Sequence, residues 1–240
     1  MKIEVWSDFV CPFCYIGKRK LEKALESFPH TKNVSIEYKS YELNKDGEKN
    51  PGISIHEALS QKYGVSVEEA RTMNENIAMQ ASEVGLQYHF DSMKPANTFD
   101  AHRLAKFAAK KGKGAEMTER LLKAYFTDSK LISDYATLVD LAEEVGLSRE
   151  EAEEMLHSET YSFHVRADEK QAEEIGVQGV PFFVFNEKYA VSGAQPVEVF
   201  SEVLERVWQE QHEKPVLQSL NPQQSETTYC TDEGCEVKRK

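Results

Sequence analysis

The feature that most constrains this chain is the run Cys11-Pro12-Phe13-Cys14. It follows a β-rich stretch at residues 3–10. It opens a stretch at residues 15–28 in which Ile16, Leu21, Leu25 and Phe28 recur near helical spacing, closed by Pro29. A cysteine at such a junction stands at a helix N-terminus, where unpaired N–H groups and the helix dipole favour a thiolate. Pro12 then falls in the first turn, where its missing N–H costs little. Two intervening residues leave the thiols close enough for a disulfide that forms and opens reversibly. Half of a zinc site has the same spacing, so a redox dithiol and a metal half-site both stand on these residues alone.

The N-terminal run Met1-Lys2-Ile3-Glu4-Val5-Trp6 has neither the long apolar stretch nor the small-residue cleavage site of a secretory signal. A cytoplasmic location is therefore expected. Thiols are kept reduced there, so four cysteines point to redox or metal chemistry rather than to structural staples. They form two close pairs, Cys11 with Cys14 and Cys230 with Cys235. The 240 residues are 40% hydrophobic, enough to bury a sizeable core in one large domain or two small ones. Asp and Glu outnumber Lys and Arg by 41 to 29, a formal charge of −12. That balance argues against nucleic acid and anionic membranes as partners. No apolar run approaches the ~18 residues of a membrane span.

Val34, Ile36, Tyr38 and Ser40 alternate with more polar residues, the period of a strand. The first ~42 residues thus read strand, helix, strand, and the unit is βαβ if the strands are parallel. Residues 54–175 read as helical. Ser54 with Glu57, Ser66 with Glu69, and Ser148 with Glu151 are capping-box candidates, and Gly64, Gly85, Gly146 and Gly176 stand at expected helix ends. Asn97 or Thr98 is a candidate cap for a helix running to Lys111. After Gly176, Val180-Pro181 leads into the apolar strand Phe182-Phe183-Val184-Phe185. A turn at Asn186-Glu187-Lys188 and a second strand, Tyr189 to Ser192, complete a hairpin. A closing helix follows, from Pro196 to His212. Residues 213–229 are mostly polar and are expected to form a mobile tail carrying the second cysteine pair.

This layout resembles the DsbA-like thioredoxin-fold oxidoreductases over roughly residues 1–212. The stretch Asn97-Thr98-Phe99-Asp100-Ala101-His102-Arg103-Leu104 and the segment Ser192-Gly193-Ala194-Gln195 are similar to the FrnE-like branch, as is the spacing of Cys230 and Cys235. That branch also resembles 2-hydroxychromene-2-carboxylate isomerases and kappa-class glutathione transferases, which generally carry serine where this chain has Cys11. The resemblance implies an α/β thioredoxin-like fold with a large all-helical insertion. The thioredoxin-like domain would comprise residues 1–52 and 176–212, the helical insertion residues 53–175, and the flexible tail residues 213–240. Cys11 would be the attacking thiolate, Cys14 the resolving thiol and Pro181 a cis-proline facing them. Pro12, Phe13 and Val180 would contact substrate, with Val180 offering backbone hydrogen bonds to a bound peptide. DsbA has a histidine where this chain has Phe13, which brings no cation, so a less oxidising dithiol is expected.

The activity so implied is cytoplasmic thiol–disulfide oxidoreduction or isomerisation, with no cofactor. Its substrates are disulfide-containing proteins or small molecules, with glutathione as a candidate partner. Two other readings share the chain: a glutathione-dependent isomerase or transferase on the same scaffold, and a non-enzymatic zinc-binding redox sensor or adaptor using both cysteine pairs. Seventeen residues separate His212 from Cys230. A flexible linker of that length spans roughly 20–25 Å, against a radius of gyration of ~18 Å for the domain. Cys230 and Cys235 can therefore serve as an auxiliary redox pair for Cys11. Asp8 and Trp6 are candidates to tune the dithiol. Asp100 and His102 read as a helix start with a surface histidine, or as cleft residues. Met73, Met79 and Met93 read as packing or as part of a substrate groove, and no metal is assigned to His157 or His164.

Overall fold

The structure, a computed structural model, describes residues 1–212 together with the backbone of two short strands near the C-terminus. Strand β1 (Lys2–Ser7) feeds helix α1 (Pro12–Ser27), which returns the chain to β2 (Ser35–Ser40). β1 and β2 are parallel, with Lys2 opposite Ser35 and Ser7 opposite Ser40, so the unit is βαβ. Seven helices follow: α2 (Ile55–Tyr63), α3 (Val67–Ser82), α4 (Phe99–Lys110), α5 (Gly114–Phe126), α6 (Tyr135–Glu144), α7 (Arg149–Leu156) and α8 (Ser162–Glu174). The chain then re-enters the sheet through β3 (Phe182–Phe185) and β4 (Tyr189–Ser192), and α9 (Val197–His212) closes it. The strand order is β2-β1-β3-β4, with β3 antiparallel to both neighbours.

β1 is central, and from Ile3 to Ser7 every residue is buried. On one face Ile3 and Val5 pack with Leu21, Leu25 and Phe28 of the α1 region and with Phe200 and Leu204 of α9. On the other Trp6 packs with Ala172 of α8 and Val177. The indole N–H of Trp6 donates to the Asp168 carbonyl at 2.9 Å, and the Ser40 N–H donates to the Asp168 carboxylate at 2.7 Å. A larger core gathers the insertion helices and reaches out to Tyr15 and Ile16 of α1.

Local sequence accounts for most element ends. Ser54 and Ser66 form complete capping boxes with Glu57 and Glu69. Ser148 accepts from the Glu151 N–H, but its hydroxyl donates to Glu150, so that helix has a capped start without the reciprocal bond. At α4 the side-chain Oδ1 of Asn97 accepts from the Phe99 N–H, while the Thr98 side chain makes no cap. Gly64, Gly85, Gly146 and Gly176 all have positive φ, as their places at helix ends suggest. Asn186 and Glu187 do so in succession, giving a tight turn that suits the hairpin twist. Helix α1 starts at Pro12, which lies in its first turn as expected, but β1 ends at Ser7 rather than near residue 10, because a turn spans Asp8 to Cys11. Met93 is buried, but Met73 and Met79 are exposed on α3, so only the first is a packing residue.

The tail expected at 213–240 lies largely outside the described residues. Around its cysteines, strands β5 (Tyr229–Thr231) and β6 (Gly234–Glu236) pair antiparallel, with Cys230 opposite Cys235. Among the described residues, no helix is long and apolar enough to cross a membrane.

Arg103 on α4 is a buried cation that fixes the insertion. It donates to Asp100 at 2.7 Å and to the carbonyls of Met155, Leu156, Ser158 and Thr160 at and beyond the end of α7. Arg103→Met leaves those acceptors and a buried carboxylate short of a partner. It should lower unfolding stability by about 3–5 kcal/mol, read from the urea midpoint and slope. A loss below about 1 kcal/mol would mean that the guanidinium contributes little to the fold.

Candidate active site

Three local features bring Cys11 to the start of α1. The Cys11 N–H bonds the Asp8 carbonyl at 3.1 Å, which tightens the turn after β1. Cys11 itself is extended (φ −90°, ψ 112°) and occupies the N-cap position, and Pro12 takes the first helical position. The Cys14 N–H then bonds the Cys11 carbonyl at 3.0 Å. Both cysteines are buried free thiols, whereas Phe13 between them is 37% exposed.

The hairpin supplies the opposite wall. The Val180–Pro181 peptide bond is cis. The Cys11 thiol donates to the Val180 carbonyl at 3.5 Å, and the Pro181 carbonyl accepts from the Gly193 N–H at 2.8 Å. Gly17 makes this approach possible. A Cβ there would stand 3.1 Å from both the Pro181 ring and the Phe183 ring, tighter than ordinary contact. A lone glycine in a helix interior costs about 1 kcal/mol relative to alanine. That cost is the sequence signal for a close approach at Gly17.

Behind the thiols the walls are polar and buried. The Asp8 N–H donates to the Cys14 sulfur at 3.4 Å. The Asp8 carboxylate accepts from the Leu43 N–H at 2.7 Å and lies 3.3 Å from Nε2 of His102. His102 is therefore an interior residue packed against Phe9, not a surface histidine. Asp100, also buried, is taken up by Lys49 and Arg103, each at 2.7 Å. The Tyr88 hydroxyl, from the segment between α3 and α4, donates to the Pro12 carbonyl at 2.7 Å. No pattern in the sequence singles out Tyr88, because its contact joins residues 76 positions apart.

The electrostatics distinguish the two thiols. Burial pushes the Cys14 thiol well above its ordinary value of 9.0, and the adjacent Cys11 sulfur adds to the effect. The Ser7 hydroxyl and the Asp8 N–H act in the opposite direction and offset part of it. Against the next turns of α1, burial favours a neutral Glu119 on α5. Lys18 at 2.5 Å, Tyr15 at 2.5 Å and Arg19 outweigh it and hold that carboxyl below its usual range. Among the described residues no group of three or more His, Cys, Asp or Glu side chains is arranged to hold a metal ion.

The structure thus brings together Cys11, Pro12, Phe13, Cys14, Val180 and Pro181. Cys230 and Cys235 lie on the separate β5–β6 pair. The DSBA-like thioredoxin domain family matches residues 2–205. The probable DsbA oxidoreductase SCO1869 from Streptomyces coelicolor is 36% identical, with a TM-score of 0.84 and all of each chain covered (100%). The uncharacterized protein YwbO of Bacillus subtilis (strain 168) is 30% identical over 204 residues, 84% of this chain and 94% of its own. Two structures share the fold at lower identity. One is 2-hydroxychromene-2-carboxylate isomerase (18% identity, TM-score 0.67, 88% of this chain and 98% of that one). The other is the cytosolic disulfide reductase DsbM from Pseudomonas aeruginosa with GSH (16% identity, TM-score 0.59, 87% of this chain and 100% of that one). The chain belongs to the DSBA-like thioredoxin domain family.

Proposed function

We propose that the protein is a cytoplasmic thiol–disulfide oxidoreductase or isomerase whose Cys11–Cys14 dithiol exchanges with disulfides of proteins or small molecules. The observation that carries this reading is the placement of Cys11 at the N-cap of α1, against the carbonyl before a cis-proline. The Cys11 thiolate attacks one sulfur of the substrate disulfide, and the other substrate sulfur leaves as a thiolate. Cys14 then loses its proton and attacks the Cys11 sulfur. The mixed disulfide breaks, the Cys11–Cys14 disulfide forms, and the substrate departs reduced by two electrons. Exposed Phe13 and the Pro12 ring offer an apolar contact beside the thiols, and the backbone at Val180 and Pro181 offers a β-like edge to an extended peptide.

The direction of exchange follows from Phe13. No cation stands between the cysteines, so the reduced form is favoured less than in a strongly oxidising site. Reduction or isomerisation, with a small thiol returning the dithiol to its reduced state, suits that poise. DsbM, a cytosolic disulfide reductase solved with GSH, carries the same fold, which supports glutathione as that thiol. Cys230 and Cys235 act as an auxiliary pair. They are register partners in an antiparallel ladder, where Cα atoms lie about 4.5–5.5 Å apart, within the range a disulfide spans.

Cys11→Ser should abolish disulfide reductase activity, and Cys14→Ser should accumulate mixed disulfides with substrate, seen as thiol-sensitive adducts by mass spectrometry. Full activity in the Cys11→Ser protein would overturn the assignment. The raised Cys14 thiol sets a pH dependence. Burial keeps Cys14 protonated at neutral pH, so release of a preformed mixed disulfide should accelerate steadily as pH rises from 7 to 10. A flat profile between pH 7 and 10 would show that Cys14 is not the resolving group. Deleting residues 213–240 should leave the melting temperature of the domain unchanged while altering turnover with glutathione. Unchanged kinetics would remove the auxiliary role of the tail cysteines.

A further inference from the structure

The insertion sends one hydroxyl to the peptide between the two cysteines. Tyr88 is 8% exposed, and its ring is held by a stack on Phe126 at 4.5 Å and an edge contact with Phe90 at 5.6 Å. Its hydroxyl donates to the Pro12 carbonyl at 2.7 Å. We propose that Tyr88 is a positioning residue for the dithiol: by bonding the Pro12 carbonyl it fixes and polarises the Pro12–Phe13 peptide, so that the Phe13 N–H stabilises the Cys11 thiolate. The proposal rests on the redox reading given above.

The argument starts from the cap. An N-cap side chain accepts from the N–H groups of the second and third helical residues. Pro12, at the first position, has no N–H, and the Cys14 N–H at the third already bonds the Cys11 carbonyl. Phe13 therefore carries the first donor of the helix that lacks an intrahelical partner. As a thiol, Cys11 donates to the Val180 carbonyl. The Cys11 side chain accepts no cap hydrogen bond while it is a thiol; as a thiolate it has no proton to give and becomes an acceptor, and the Phe13 N–H is then the donor available within its own turn. The Pro12 oxygen and the Phe13 nitrogen belong to one peptide unit. A proton donated to the oxygen draws electron density from the nitrogen and strengthens its N–H as a donor. Burial, followed by the nearby Cys11, Tyr15 and Cys14 groups, pushes the Tyr88 phenol far up. It therefore keeps its proton and donates in both redox states.

A thiolate stabilised in this way favours the reduced form and makes the dithiol more oxidising. Tyr88→Phe removes the hydroxyl and keeps the ring contacts. Equilibration of the full chain in glutathione buffers, with the Cys11–Cys14 linkage read by alkylation and peptide mapping, should show the equilibrium moved about threefold toward the protein disulfide, the size of one modest hydrogen bond. That ratio corresponds to ~14 mV for a two-electron couple. Tyr125→Phe is the control. It removes a second buried hydroxyl of the insertion, one that donates to the Lys94 carbonyl at 3.0 Å and touches neither cysteine. Its equilibrium should match the wild type. An unmoved Tyr88→Phe equilibrium, an equal shift in both variants, or a Tyr88→Phe protein that does not fold would each overturn the proposal. A wild-type protein that forms no Cys11–Cys14 disulfide in any glutathione buffer would fail differently, because it would overturn the redox reading itself.

Discussion

The structure depends on one helix having two buried sides. Helix α1 turns Leu21, Ala24 and Leu25 into the core it shares with the sheet and α9, and Tyr15 and Ile16 into the core of the insertion. A helix with one apolar stripe would leave its other face to water. Here the second side is closed by a helical body inserted between β2 and β3. The N-terminus of α1 therefore emerges where two cores meet. Side chains from both can reach it, and bulk water has little access. Gly17 sets how closely the hairpin approaches that end, and Lys18 with Arg19 tie the next turn to Glu119 on α5. If the insertion moved, the polar surroundings of the dithiol would move with it.

That coupling gives the segment from Asn97 to Leu104 a physical reading. Asn97 donates to the carbonyl of Gly47 and caps α4. Asp100 takes Lys49 and Arg103. His102 meets Asp8, and Arg103 gathers the carbonyls that end α7. One turn of helix thus fixes the loop after β2, the residue behind Cys14 and the neighbouring helix. Asp100, His102 and Arg103 are buried and partnered, which is the condition for such groups to add specificity rather than cost. Leu104, in the same stretch, is fully inside the insertion core.

The parts of the molecule legible in the sequence were those with local causes. Alternation gave β2, the capping pairs gave the starts of α2 and α3, and glycines at helix ends gave the breaks between helices. The cysteine pair and Val180-Pro181 were visible as motifs, and the family resemblance related them to each other. The remainder was hidden because it depends on contacts far apart in the chain. His102 looked like a surface residue at a helix start, yet it is buried because Asp8, 94 residues earlier, needs a partner. Tyr88 looked like any aromatic among Leu86 and Phe90. The exposed Met73 and Met79 looked like core at helical spacing, and no local pattern shows that the outer face of α3 is left uncovered.

On the proposed dithiol mechanism, the same geometry would divide the chemistry between the two cysteines. Both stand near the positive end of the α1 dipole, so the helix alone would favour ionisation of each. Burial opposes it at Cys14, which sits inward against Ser7 and Asp8 and is raised well above an ordinary thiol. Cys11 sits one turn earlier, at the cap, beside exposed Phe13 and the Val180 carbonyl, where a substrate sulfur can approach. In the proposed mechanism a resolving thiol that ionised freely would compete for the substrate at the first step. Holding Cys14 neutral would leave that step to Cys11 and delay Cys14 until a mixed disulfide had formed beside it. On this reading the order of events is a consequence of which thiol the two cores bury.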